Sequence, residues 1–385
     1  MSYKLADICL KITDGSHNPP GGVDKSEYLM LSSKNVYDDC ITFDEPRFLS
    51  KSDFEIENKR TDIKPGDVLL TIVGTVGRAA VVHDNVGNIA LQRSVAVLKP
   101  NHKKCCSRYL MYALIAKRRF FEGEARGVAQ KGIYLKQLEK TEVELPRISV
   151  QIQIVELLDK VQSTISARKQ QLSELDNLVK ARFVEMFGDP IQNTKGWKTE
   201  KLSMICSAIY GGGTPSKSHP EYFEGDIPWV SPKDMKSMVI TDSIDHITAE
   251  AVDNSSTKMV PAGAVLIVIR SGILKHSLPV ALAAVDLTVN QDMKAFITGD
   301  KLSSEFLVFY FKAIESDILS GVRGVTADNI DFKEFQNRMV IVPPMQLQNQ
   351  FADFVAQVDK SKLSVQKSLD QLETLKKALM QQYFE

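Results

Sequence analysis

The sequence predicts an α+β protein. Two sheet-rich domains are separated by two long helices packed as an antiparallel coiled coil, and a pseudo-twofold internal repeat relates the halves. Three observations predict this. Shifted by 197 residues, the chain aligns with itself without a gap over more than 60 positions. Two stretches of about 38 residues contain no helix breaker and carry apolar residues at alternating spacings of three and four. The remainder is short Val/Ile/Leu runs punctuated by Gly and Pro. A long-period repeat dictates the architecture, because each copy must fold in the same way.

In chain order, residues 1–148 form the first domain. KPGDVLL, ending in a Val/Leu run after a Pro-Gly turn, reads as a strand, and SRYLMYALIAKRRFF (107–121) as a helix. Residues 149–190 form the first long helix. Leu158, Val161, Ile165, Arg168, Leu172, Leu175, Val179, Arg182 and Met186 keep the heptad spacing until Gly188-Asp189-Pro190 stops it. A 38-residue helix is roughly 57 Å long. Residues 191–345 repeat the first domain: PAGAVLI stands for KPGDVLL, with Gly263 on Gly66, and SSEFLVFYFKAIES (303–316) is the helix. Residues 346–385 repeat the long helix through Val355, Val358, Val365, Leu369, Leu372 and Leu379. RGVAQKGIYLKQLEKTEVELP from Arg126 lies over RGVTADNIDFKEFQNRMVIVP from Arg323, Gln151 meets Gln348, and Gln92 meets Gln291. Each apolar stripe is too exposed alone, so the two helices are expected to cover one another. Arg168, Arg182, Lys362 and Lys376 interrupt the seam, where polar residues can fix register.

Composition narrows the function. Forty-three per cent hydrophobic and 25% charged residues describe a globular chain. No apolar run approaches membrane-helix length, and the residues after Met1 lack a signal peptide's apolar stretch. Five cysteines without a CxxC pair argue against a disulfide scaffold or a zinc site and for the cytoplasm. Forty-eight basic residues balance 48 acidic ones, which taken alone speaks against nucleic-acid binding. Between Asp84 and Glu122, however, eight basic residues occur with no acidic one. That is either a solvated face or a phosphate-contacting surface.

Several segments resemble catalytic motifs and fail on a required residue. Asn18-Pro19-Pro20 lacks the aromatic of an amino-methyltransferase loop, since Gly21 follows. Gly211-Gly212-Gly213-Thr214-Pro215-Ser216-Lys217-Ser218 nearly spells a phosphate-binding loop. Ser216 replaces the glycine before the lysine, and Pro215 removes a backbone donor. The six histidines are scattered singly, so no metal site is expected. What remains is a pair of polar, glycine-punctuated loops, 14–22 and 211–222. Their Asn, Ser, Thr, His and Lys side chains suit hydrogen bonds to base edges and phosphates.

Taken together, GGGTPSK…YFEGDIPWVSPKDM, DGSHNPP…YLMLSSKNV, the KPGDVLL and PAGAVLI turns, ELPRISVQIQIVELLDK, VPPMQLQNQFADFVAQVD and ARFVEMFGDP make the chain resemble the DNA specificity subunit of type I restriction–modification systems over essentially its whole length. The resemblance implies that each sheet-rich domain is a target recognition domain reading one half of a split site in double-stranded DNA. It implies that the helices set the half-site spacing and dock two modification (methyltransferase) subunits. S-adenosylmethionine belongs to those subunits, and ATP with Mg to a restriction or translocase subunit where one is present. This chain would carry no cofactor and do no chemistry. The expected DNA-contacting residues are Asp14, Ser16, His17, Asn18, Lys34, Asn35, Thr75, Arg78, Gln92 and Arg93 in the first domain. In the second they are Thr214, Ser216, Lys217, Lys233, Arg270, Ser271, Asn290 and Gln291. From another class, the same pattern fits a coiled-coil scaffold with two protein-binding modules. A lone methyltransferase is disfavoured by the missing motifs.

Overall fold

A computed structural model describes residues 1–84, 86–125, 132–322 and 329–384. The aligned RGVAQK and RGVTAD segments at Arg126 and Arg323 lie outside the described residues. The chain forms two compact units, residues 1–169 with 367–385 and residues 170–366. The division falls at the same place in each copy, since 169 and 366 differ by the 197-residue shift.

In the first unit, β1 (Cys9–Asp14), β2 (Tyr28–Leu31), β3 (Val68–Thr71), β4 (Ala79–Val81), β5 (Asn88–Leu91) and β6 (Val95–Pro100) precede helix α1 (Ser107–Ala116) and the long helix α2 (Ile148–Phe187). An antiparallel sheet runs β1-β6-β3-β4. β2 pairs in parallel with β5, from Tyr28↔Asn88 to Leu31↔Leu91, and antiparallel with Arg47–Phe48. The second unit repeats these elements. β7 (Cys206–Gly211), β8 (Ile227–Val230), β9 (Val265–Val268), β10 (Val280–Ala283), β11 (Thr288–Val289) and β12 (Met293–Thr298) lead to α3 (Ser304–Ala313) and α4 (Met345–Phe384). Its sheet runs β7-β12-β9-β10 and adds Val239–Ile240 at the edge, while β8 again pairs in parallel with its partner, β11. β3 and β9 are buried at every position, which explains their unbroken Val/Leu/Ile runs.

The repeat extends to single hydrogen bonds. Gly66 and Gly263 each hold φ +86°, a left-handed turn open to glycine. Their carbonyls accept from Ser107 Oγ and Ser304 Oγ, both at 2.6 Å. Gln151 and Gln348 are completely buried. Gln151 Oε1 accepts from Cys106 N, and its Nε2 donates to Lys104 O and Pro146 O, all within 2.8–2.9 Å. Gln348 makes the same three bonds with Ser303 N, Lys301 O and Pro343 O. Each glutamine therefore fastens the start of a long helix to its own domain.

Each long helix serves both units. Ile154, Val155 and Leu158 of α2 enter the core of the first unit, and Val179, Phe183 and Phe187 that of the second. Phe351, Val355 and Val358 of α4 pack in the second unit, and Leu379, Met380, Tyr383 and Phe384 in the first. The helices also touch each other. In the first unit Lys376 Nζ donates to Gln162 Oε1 at 2.6 Å and Lys169 pairs with Glu373 at 2.9 Å. In the second, Lys362 pairs with Asp176 at 2.6 Å and the Arg182 guanidinium lies 5.7 Å from the Phe354 ring centre. Partner numbers fall along α4 as they rise along α2, so the pairing is antiparallel. Leu158, Val161, Ile165, Val358 and Leu369 are buried, and Leu172, Leu175, Val355, Leu372 and Leu379 half-buried. Arg182, Lys362 and Lys376 thus hold partners in the seam, although burial pushes the Lys376 ammonium below its ordinary pKa.

Candidate DNA-reading loops

In each unit three backbone segments meet at the end of the parallel strand pair. In the first unit they are the loop leaving β1, the turn after β2 and the turn between β5 and β6. Ser16 N donates to Leu91 O at 2.7 Å, Arg93 N to Ser16 O at 2.8 Å and Gln92 N to Leu31 O at 2.9 Å. In the second unit Gly213 N donates to Val289 O at 3.0 Å and Asn290 N to Val230 O at 2.9 Å. The approach admits only glycine. A Cβ on Gly15 would lie 2.1 Å from Leu91 O, and one on Gly212 would lie 1.6 Å from Asn290 O. The glycine punctuation of these loops is therefore a packing requirement, and it fixes the frame from which polar side chains project.

These bonds correct the alignment at one turn. Gln92 stands where Asn290 stands, each donating from N to the end of the parallel strand and accepting at O from Val95 N or Met293 N. The sequence alignment places Gln92 on Gln291, one residue too far. The partner of Gln291 is Arg93.

The proposed residues of the first unit fall into two groups. Asp14, buried, is held by Arg60 and by His17 Nε2 at 2.7 Å, so its carboxylate is occupied within the protein. Asn35 is also buried: its Oδ1 accepts from Ser32 N and its Nδ2 donates to Asp44 O. Both shape the loops. Asn18, Lys34 and Arg93 are exposed, and Ser16 and Gln92 half-exposed, on the same three segments. Thr75 and Arg78 line a separate cleft of about 430 Å³ with Arg118 and Glu122. Arg78 stacks over the Tyr37 ring at 4.7 Å.

In the second unit Thr214, Lys217, Lys233, Asn290 and Gln291 surround one cleft of about 640 Å³, together with Phe223, Trp229 and Asp245. The Trp229 indole donates to Gly213 O at 3.0 Å. Thr214 bonds the Gln291 amide oxygen, and Lys233 pairs with Asp245 at 2.9 Å. Asn290 is buried against Asp292, whose carboxylate also takes Arg270 at 2.6 Å. Ser216 bonds Ser218, and Ser271 caps the helical turn Gly272–Lys275. Sequence reading missed Trp229 and Phe223 as lining residues, although an aromatic beside SPKDM was a usable signal. Tyr37 and Arg118 come from distant segments and leave no local mark.

Three members of the basic run from Arg93 to Arg119 are neutralised within the protein. Lys99 pairs with Asp67, Arg108 with both Asp39 and Asp159, and Arg118 with Asp38. No group of three or more His, Cys, Asp or Glu among the described residues could hold a metal ion. Burial pushes the thiols of Cys9, Cys105 and Cys206 up to about 12, so they stay protonated and unreactive near neutrality.

The family model for the type I restriction modification DNA specificity domain matches residues 24–177 and 194–374, one copy in each half. The chain belongs to this family. A type I restriction enzyme specificity subunit of Escherichia coli is 35% identical over 226 residues, 58% of this chain and 55% of that one. The match thus spans about half the length of that relative. A chain from a solved type I R-M system, studied for its assembly and conformational transition, has a TM-score of 0.62 at 17% identity, covering 100% of this chain and 97% of that one. The S subunit from M. genitalium gives 0.58 at 13% identity, with coverage of 100% and 96%. At these identities the two structures speak for the fold. No helix among the described residues is long and apolar enough to cross a membrane.

Proposed function

We propose that this specificity-family chain reads a bipartite double-stranded DNA target in the cytoplasm, one half-site per unit. Residues 1–148 and 191–345 act as the recognition domains, with 149–190 and 346–385 as the helices that space them and dock two methyltransferase subunits. S-adenosylmethionine is bound by those subunits, as is ATP with Mg by a restriction subunit where one joins. The observation that carries the reading is the pair of loop clusters. Their backbone frames share two bonds, from Ser16 N or Gly213 N and from Gln92 N or Asn290 N, yet the side chains they present differ: Lys34 and Arg93 in one, Thr214, Lys217 and Gln291 in the other. A frame used twice with different chemistry suits two readers of different sequences. The near-zero net charge fits an assembly in which partner subunits supply much of the phosphate grip.

The test is a swap. Residues 198–340 replaced by the same region of a related chain are expected to change one half-site in the methylome and leave the other intact. Both half-sites changing together would exclude two independent readers. The chain purified alone is expected to transfer no methyl group and to hydrolyse no ATP.

A further inference from the structure

We infer that Arg93 and Gln291 are equivalent base-reading residues, Arg93 specifying a guanine in one half-site and Gln291 an adenine in the other. The inference rests on the DNA-reading function proposed above and deepens it. Their equivalence follows from the hydrogen-bond frame rather than from the alignment. Arg93 follows Gln92, whose N donates to Leu31 O; Gln291 follows Asn290, whose N donates to Val230 O. Both residues are exposed at the tip of the turn entering the last sheet strand. Both turns are braced against the glycine loop, through Arg93 N to Ser16 O and through the Gly213 N bond to Val289 O. A reader needs such a backbone, because a tip that wanders by an ångström cannot discriminate base edges.

The chemistry around the two tips differs in the direction the assignment requires. In the second unit two of the cations near Gln291 are neutralised, Lys233 by Asp245 at 2.9 Å and Arg270 by Asp292 at 2.6 Å. Gln291 itself adds no charge to the cleft it shares with Lys217. Thr214 bonds its amide oxygen, which leaves that oxygen a second lone pair and leaves the amide its two N–H donors. One acceptor beside one donor matches the N6 amino group and N7 of adenine. In the first unit Ser94 stands in the place of Asp292 and Val73 in that of Arg270, since Val73 N donates to Ser94 O as Arg270 N does to Asp292 O. Arg93 consequently lacks the carboxylate that Asp292 supplies in the second unit. Among the described residues its guanidinium holds no hydrogen-bond or ion-pair partner. Two parallel donors on a free planar fork match O6 and N7 of guanine.

The experiment uses the chain assembled with its methyltransferase subunits and duplexes in which each base of the wild-type target is varied in turn. R93Q is expected to lose a guanine preference of roughly ten- to hundredfold at one position of one half-site and to gain adenine there. Q291R is expected to make the reverse change at one position of the other half-site. If R93Q weakens all duplexes alike, Arg93 grips a phosphate and the assignment falls. It falls equally if both variants leave every base preference unchanged, or if both act in the same half-site. Should R93Q fail to assemble, R93K keeps the charge without the fork: guanine discrimination is expected to drop while overall affinity stays, and undiminished discrimination overturns the claim. A wild-type complex that selects no bipartite target would sink the underlying reading instead, an outcome visible before any variant is made.

Discussion

Gln348 shows how much one residue can fix. Its side chain is completely buried and satisfies one N–H and two carbonyls that would otherwise be unpaired at the junction of α4 with its domain. Removing the amide strands all three groups and leaves a small cavity, so Gln348→Ala is expected to cost about 2–4 kcal/mol in the denaturant unfolding of the second unit. Gln151→Ala is expected to do the same in the first unit, because its three bonds are equivalent. A loss below about 1 kcal/mol in both would mean that water replaces the amide and that the helix is fastened elsewhere. The spacing of these glutamines from Pro146 and Pro343 was visible in the repeat, and their burial was not. A glutamine at the fourth position of a helix reads equally well as solvent-facing. Asn35 and Asn290 carry the opposite lesson. Both were plausible base contacts by residue type, and both spend their side chains inside the protein.

At the scale of elements, α2 and α4 are legible because a heptad stripe and the absence of Gly and Pro are local signals. What covers each stripe is not local. The halves of each helix pack into different units, which the seam spacing alone does not reveal. The misplacement of Gln92 has a similar origin: the turn between β5 and β6 holds one residue of slack relative to its repeat, and only the hydrogen bonds locate it. The helix register gives a test. Four residues inserted after Lys169 and four after Gln366 add about 6 Å to each helix and keep the apolar stripe nearly in phase. The proposed reading expects a folded complex whose recognised spacer grows by one or two base pairs, each about 3.4 Å. Two residues at the same places turn the stripe to the far face and are expected to abolish assembly. A methylome with the original spacing after the four-residue insertions would show that the helices do not measure the DNA.

At the scale of the molecule, the repeat closes on itself within the first unit. Leu145 N donates to Met1 O at 2.9 Å, and Tyr109, whose hydroxyl donates to Glu144 O at 3.0 Å, packs its ring at a tilt 5.1 Å from that of Phe384. The start of the chain and the end of α4 thus meet around Tyr109 and Glu144. The second unit has the same arrangement with the chain unbroken. Val342 N donates to Lys198 O at 2.8 Å, and Phe187 packs 4.9 Å from Phe306, which stands in the place of Tyr109. Between Phe187 and Lys198 the chain uses residues 188–197, with the Trp197 indole donating to Phe187 O. That segment is a ready template for joining Phe384 to Met1. A circular permutant carrying a copy of 188–197 in place of Glu385, and opened between the exposed residues Ile191 and Gln192 near Asp189, is expected to fold, to assemble with its methyltransferase subunits and to direct methylation to the unchanged target. The new termini disturb only an exposed turn, and the new junction repeats contacts the chain already makes. The check is gel filtration of the assembled complex followed by sequencing of the methylated sites. A permutant that is soluble but unassembled, or one that methylates a different spacing, would mean that the break at the chain ends is itself required and that the two halves are not interchangeable in the way their matching contacts indicate.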